Sequence, residues 1–231
     1  MMSSPRWSAL LVALVPAILM MVYVYRLDRV DKEPADLLVE LAMLGVAAAI
    51  VASVVEVIWA FVVPDIPGYT GLAIHMYIGI GMVEEGCKAL FLHKRVWHER
   101  NFDCTFDAVV YAVFVSMGFA ALENVIYVFS YGMITGVIRA VTAIPGHFSF
   151  AVAFGVFYGK ACLHERRGES GLSRFFIAMG YLVAVLLHGT YDFCAYFSAG
   201  RTALVFYGFI IVLYTVIFIV VRREARDDSR M

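Results

Sequence analysis

Seven polar residues in an otherwise apolar chain could do chemistry together: Glu84, Glu85, Lys88, Glu123, His147, His188 and Asp192. Glu84 and Lys88 are spaced i, i+4 on a helix, so they share a face with the acid on the preferred N-terminal side. Glu85 is turned about 100° away from Glu84. On helix geometry alone, Glu84 is the expected partner of Lys88, and Glu85 is the expected general base. His188 and Asp192 repeat the i, i+4 spacing, and a carboxylate there can fix the imidazole tautomer. His147 follows Pro145-Gly146, where the missing proline N–H and a kink open space beside the ring. Glu123-Asn124 adds a carboxylate and an amide.

Two routes to hydrolysis of a carbonyl substrate are open to this set. In the first, His147 and His188, with Glu85 and Glu123 as carboxylates, bind Zn2+ and leave a position for water, while a remaining glutamate acts as base. The sequence has no HExxH pair, so it carries no zincin signature. In the second, no metal is needed: a glutamate activates water, and a histidine with Asn124 or the surroundings of Asp192 stabilises the oxyanion.

The elements that must position these groups are membrane helices. Of 231 residues, 62% are hydrophobic and only 16% charged, and the mean hydropathy is +0.83; a soluble domain is far less apolar. The expected fold is all-α, a single integral-membrane domain over 1–231 with seven spans, at about 7–25, 37–63, 71–92, 106–129, 137–162, 175–197 and 203–221. Each is close to the roughly 20 residues a bilayer crossing takes. The first run lacks a small-x-small cleavage site and is too long for a signal-peptide core, so it reads as a span. The fifth leaves two alternatives. It is one kinked helix from 137, or a short interfacial helix at 133–143 followed by a span that starts at Pro145.

Lys and Arg in the connections set the orientation. Thirteen fall in the loops after the first, third and fifth spans and in the tail, against three (Arg6, Arg139, Arg201) on the other side. The N-terminus is therefore expected outside and the C-terminus in the cytoplasm. At 1.5 Å per residue, Glu84, Glu85, Glu123, His147, His188 and Asp192 then share one depth, between the midplane and the outer leaflet. An ionised residue at the centre of a span costs roughly 2.5–3.5 kcal/mol, so the convergence of several is a functional signal.

Other polar residues read as structural. Glu56 has a similar depth but no patterned neighbours, and His75 lies near the outer end of the third run. His93, His98 and His164 sit among basic loops and are expected to be solvated, and Lys160 can snorkel. Cys87, Cys104, Cys162 and Cys194 lack CxxC or His-paired spacing and read as small core hydrophobes. The net charge of −1 implies no nucleic-acid partner. Three function classes stay open on these residues: an intramembrane hydrolase, a proton-coupled transporter, and a non-catalytic scaffold for single-pass partners. The absence of paired half-repeats speaks against the transporter.

The set Glu84-Glu85-x-x-Lys88, Phe119-x-x-x-Glu123 and His188-x-x-x-Asp192, with His147 between, resembles the PrsW family of bacterial intramembrane proteases. The stretch Arg29-Val-Asp31-Lys-Glu33-Pro34 is similar to that family too. The CAAX prenyl-protease and bacteriocin-processing relatives also carry a glutamate pair, but usually with arginine one position later and histidine in place of the fourth-span glutamate. Lys88 and Glu123 favour PrsW. The resemblance implies a protease of the bacterial inner membrane that cuts a membrane-anchored protein near the outer face. The metalloprotease route comes first beside it, with the metal-free glutamate route still open, and in the family's founding case the substrate is a single-pass anti-sigma factor cut in a stress-response cascade.

Overall fold

The computed structural model describes residues 4–198 and 200–231. The described residues form helices α1 (Ser4–Leu27), α2 (Ala35–Val62), α3 (Gly68–Ile74), α4 (Val83–Val96), α5 (Asp107–Tyr131), α6 (Met133–Val141), α7 (Ala143–Arg166), α8 (Ser170–Tyr196) and α9 (Ala203–Arg226). A π-helical stretch, His75–Met82, joins α3 to α4. No strand forms among these residues, only one isolated bridge between Cys104 and Arg230. The fold is all-α, as expected. Six helical segments are long and apolar enough to cross a membrane: α1, α2, α5, α6 with α7, α8 and α9. The remaining expected span, the third (71–92), is helical throughout, but Glu84, Glu85 and Lys88 interrupt its apolar character.

α5 is the axle of the bundle, with every residue from Asp107 to Ala120 buried. Close backbone approach holds its neighbours against it. A Cβ on Gly45 of α2 would lie 1.9 Å from the Val115 carbonyl oxygen, and one on Gly118 of α5 would lie 1.9 Å from that of Ala42. A Cβ on Gly155 of α7 would lie 2.7 Å from Val109 Cα of α5. Apolar helices in lipid gain little from burial alone, so small residues that permit such contact determine which helices pair. The outer faces of α1, α2 and α9 expose large apolar side chains such as Leu11, Ile50 and Val212, the surface a lipid environment covers.

The fifth apolar run is split, as the second of the two alternatives has it. Gly132, at φ +92°, makes the left-handed turn into α6 that glycine adopts without strain. Thr142 (φ −117°, ψ −67°) separates α6 from α7. Pro145 is the third residue of α7, in the first turn, where its missing N–H is not needed.

Candidate active site

The π stretch carries the chain into α4 so that Glu84, Glu85 and Lys88 all face the interior; they are 6%, 5% and 5% exposed. The same segment leaves His75, Ile78 and Met82 outward. π-helical turns recur at functional sites. Here the stretch is clamped to α8. A Cβ on Gly189 would lie 2.4 Å from the Tyr77 ring, the Tyr77 and Thr190 hydroxyls are 2.8 Å apart, and Tyr181 donates to the Met82 carbonyl at 2.8 Å. This clamp brings His188 onto the glutamate pair.

Lys88 is the hub. Its ammonium donates to Glu85 Oε1 at 2.8 Å, Glu84 Oε2 at 3.2 Å and His147 Nδ1 at 3.0 Å, and it lies 4.1 Å from the Phe119 ring centre. The expected division of the glutamates is thereby corrected. Lys88 does pair with Glu84, but it holds Glu85 as well and more closely, because i, i+3 positions also share a helix face and a lysine stem reaches both. Glu85 Oε1 accepts a second bond from His188 Nδ1 at 2.8 Å. Glu84, by contrast, lines a cavity of about 320 Å³.

Each histidine has one nitrogen turned into this centre and the other backed by an outer carboxylate. His147 Nε2 is 2.9 Å from Glu123 Oε2. An ammonium can only donate, so His147 Nδ1 carries a lone pair and Nε2–H donates to Glu123. His188 Nε2 lies 3.4 Å from Asp192 Oδ2 and 3.8 Å from Glu84 Oε2. The imidazoles meet edge to face at 5.2 Å, and Phe150 stacks on His188 at 4.8 Å.

One ligand atom from each of Glu84, Glu85, His147 and His188 lies within 4.8 Å of the others. This differs from the expected metal set: Glu84 takes the place of Glu123, which stands behind His147 and pairs with Arg139 at 3.0 Å. The donors fit a divalent ion of the zinc class. They are two imidazoles and two carboxylates, and His147 is oriented by a further carboxylate, Glu123, in the manner of a metal ligand. Buried Asp192 Oδ2 has no hydrogen-bond partner.

Residues 33–221 match the PrsW family, described as intramembrane metalloproteases. The chain belongs to the PrsW family. A Protease PrsW of Clostridioides difficile is 29% identical over 211 residues, 89% of this chain and 87% of that one. The Bacillus subtilis Protease PrsW is 29% identical over 178 residues, 77% and 78% of the two chains. The Halalkalibacterium halodurans Protease PrsW is 24% identical over 210 residues, 91% and 94%. No solved structure matches the chain. This PrsW-family member is an integral membrane protein and an intramembrane endopeptidase with a protein substrate.

Four residues stand elsewhere than expected. Arg139, counted among the outer basic residues, turns inward onto Glu123, donates to Asn124 Oδ1 at 3.2 Å and lies 3.8 Å over the Tyr127 ring. Its place in an apolar run was the signal that could have found it. Asn124, expected as an oxyanion donor, spends its amide on the Ala13 carbonyl at 3.1 Å and is fully buried. Glu56, read as structural, lines the same cavity as Glu84, Glu123, His188 and Asp192. His93 is also not solvated: it meets the Tyr158 hydroxyl at 2.9 Å and packs on Trp97. The four cysteines are free, with Cys104 and Cys162 buried.

Proposed function

We propose that this intramembrane protease cuts a membrane-anchored protein near the outer face of the bacterial inner membrane, with Glu84 as the group that takes the proton from the attacking water. The observation that carries this reading is the cavity. Glu84 lines it, together with His147, His188 and Asp192, whereas Glu85 does not. A base must reach a water that can also reach the scissile carbonyl. Lys88 holds Glu84 in place, and Arg139, which lines the cavity, is the cation available to a developing oxyanion.

His147, His188 and Glu85 are the residues that would hold a Zn2+ ion, with Glu84 left as base. Such an ion, when bound, polarises the scissile carbonyl and acidifies water. Glu123 accepts from His147 Nε2–H and so keeps the Nδ1 lone pair turned inward, whereas His188 donates Nδ1–H to Glu85 and has its Nε2 lone pair on the side of Glu84 and Asp192. The lining includes Tyr127, Arg139 and Tyr196, from the ends of α5, α6 and α8 that the basic-residue count assigns to the outside. A single-pass anti-sigma factor, cut as the first step of a stress response, is the substrate proposed from the family resemblance.

The test is cleavage of a single-pass substrate co-reconstituted in liposomes. Wild type is expected to release a product cut in the outer third of the span, and Glu84→Gln to lose at least a hundredfold in rate. Equal rates would refute the role of Glu84. Metal content by elemental analysis, in wild type and His188→Ala, reports on the ion independently of activity. One equivalent in the first and none in the second is expected.

A further inference from the structure

α2 and α5 are pressed together over much of their length and part toward their C-terminal ends, which the basic-residue count assigns to the outside. The buried residues of α2 stop at Ala52, and no residue from Ser53 to Val62 is buried. On α5 the face that meets α2 runs through Val115, Gly118 and Leu122, packed on Ala42, Gly45 and the Ala48, Ala49, Ala52 cluster. One turn further on, the same face carries Ile126 and Phe129, which are 49% and 55% exposed. Asn124 and Val128 turn instead to α1, around Ala13.

The catalytic cavity reaches into this gap. Ser53 of α2 and Ile126 of α5 both line it and are both exposed, so it continues to the lipid-facing surface between the two helices. The other flank of α2 is closed. There Trp59 lies over the π stretch, and a Cβ on Gly79 would sit 2.7 Å from Trp59 Nε1.

Glu56 stands in the wall of the gap. Ala49, Ser53 and Glu56 follow one another at helical spacing on the face of α2 that lines the cavity, and Glu56 is the only long side chain of the three. It forms no ion pair and no side-chain hydrogen bond among the described residues. The cations of the site are already engaged: Lys88 holds Glu84 and Glu85, and Arg139 pairs with Glu123 at 3.0 Å. Asp192, in the same cavity wall, also keeps one buried oxygen without a hydrogen bond. An unpaired ionised residue at the centre of a span costs roughly 2.5–3.5 kcal/mol. A carboxylate of the enzyme and a cation of the substrate that meet here offset that cost for each other.

We propose that Glu56 is a specificity-determining residue, which receives a lysine or arginine side chain of a substrate segment that enters the cavity between the C-terminal halves of α2 and α5. The inference rests on the cavity being the place of hydrolysis. Selection works through both signs of charge: a base close to the scissile bond is attracted by Glu56, and an acid at the same position is repelled by Glu56, Glu84 and Asp192.

The test is cleavage, by the full-length protein in liposomes, of a single-pass Leu/Ala segment tagged at each end. One Lys, Met or Glu is placed in turn at each position of its outer half. At the best position wild type should cut the Lys-bearing segment about tenfold faster in kcat/KM than the Met-bearing one, and the Glu-bearing one more slowly still. Glu56→Gln, folded as judged by an apparent Tm no lower than that of wild type, should cut the Lys and Met segments equally. Glu56→Lys should prefer Glu to Lys. A photo-crosslinking residue at Ser53 or Ile126, in the Glu84→Gln background, should capture the Lys-bearing segment, and one at the exposed Ile211 of α9 should not. No lysine preference in wild type, or a preference that persists in Glu56→Gln, would overturn the role of Glu56. Capture at Ile211 as strong as at Ile126 would overturn the entry route. Glu84→Gln as active as wild type would instead refute the reading of the cavity on which both depend.

Discussion

Lys88→Met is the most informative single perturbation, because Lys88 is the one cation that touches both glutamates and His147. The substitution keeps the length and most of the volume of the stem and deletes only the ammonium. It strands two buried carboxylates that now lie 2.8 and 3.2 Å from that ammonium. An exposed helical ion pair would lose about 0.3–0.5 kcal/mol. Breaking a buried pair by removing one partner costs about 3–5 kcal/mol, since the remaining charge stays buried. The Phe119 contact at 4.1 Å is lost as well and adds up to about 2 kcal/mol when desolvated. At roughly 2–4 °C per kcal/mol for a chain of this size, the expected fall in apparent Tm is about 6–28 °C. The assay is thermal unfolding in detergent, first with chelator and then with Zn2+. Because Glu84, Glu85 and the His147 Nδ1 lone pair now hold the ammonium, Zn2+ should raise the Tm of Lys88→Met more than that of wild type. A fall of less than 2 °C with chelator would refute the buried-hub reasoning. Equal zinc responses would refute the idea that ammonium and metal compete for one set of donors.

Glu123→Gln keeps an oxygen that can accept from His147 Nε2 but removes the negative charge behind that ring and the ion-pair partner of Arg139. Metal affinity and cleavage rate should fall about 10–100-fold, measured by zinc titration and by product release, while the fold persists. Glu56→Gln removes a cavity charge for which no ion pair forms among the described residues, so apparent Tm should hold or rise; a fall of several degrees would show that the charge is needed. Gly189→Ala puts a Cβ 2.4 Å from the Tyr77 ring, and overpacking of this kind costs about 1–3 kcal/mol. It should also push α8 off the π stretch and cut cleavage more than tenfold, read by parallel unfolding and activity assays.

Hydropathy made the helices legible, because length and apolar composition are what a bilayer selects. Proximity was legible in part. A shared depth for Glu84, Glu123, His147 and His188 was readable from span boundaries, and the structure brings these residues into one network. Azimuth was not legible. Whether Lys88 meets Glu84 or Glu85 depends on a long flexible stem and on a π stretch that alters the helical register just upstream, and neither shows in periodicity. Arg139 was hidden for a different reason. Counting basic residues treats each one as a loop charge, yet this one belongs to a short helix that folds its guanidinium back onto Glu123. Glu56 was passed over because a lone acid has no spacing to read; only packing against α5 and the π stretch reveals what it faces. Asn124 failed through competition, since the Ala13 carbonyl was an acceptor that no motif could announce.

The arrangement also explains how a span with three ionisable residues is tolerated. Counted singly, Glu84, Glu85 and Lys88 would cost roughly 7–10 kcal/mol at the centre of an isolated helix. In the folded bundle they are not single. Lys88 neutralises one unit of the glutamate pair, His188 is hydrogen-bonded to Glu85, and Arg139 offsets Glu123 on the far side of His147. Each link in that chain comes from a different helix: α4, α8, α7, α5 and α6. The third apolar run can therefore hold its charges only when the other helices have packed, through the backbone contacts at Gly45, Gly118, Gly155 and Gly189. What remains unbalanced is the acidity of the cavity wall, where Glu56, Glu84 and Asp192 outnumber the cations facing them. A surplus of negative donors around a cavity of about 320 Å³ is the electrostatic condition for drawing in a divalent ion, and it makes the same residues a poor stabilising core and a serviceable hydrolytic site.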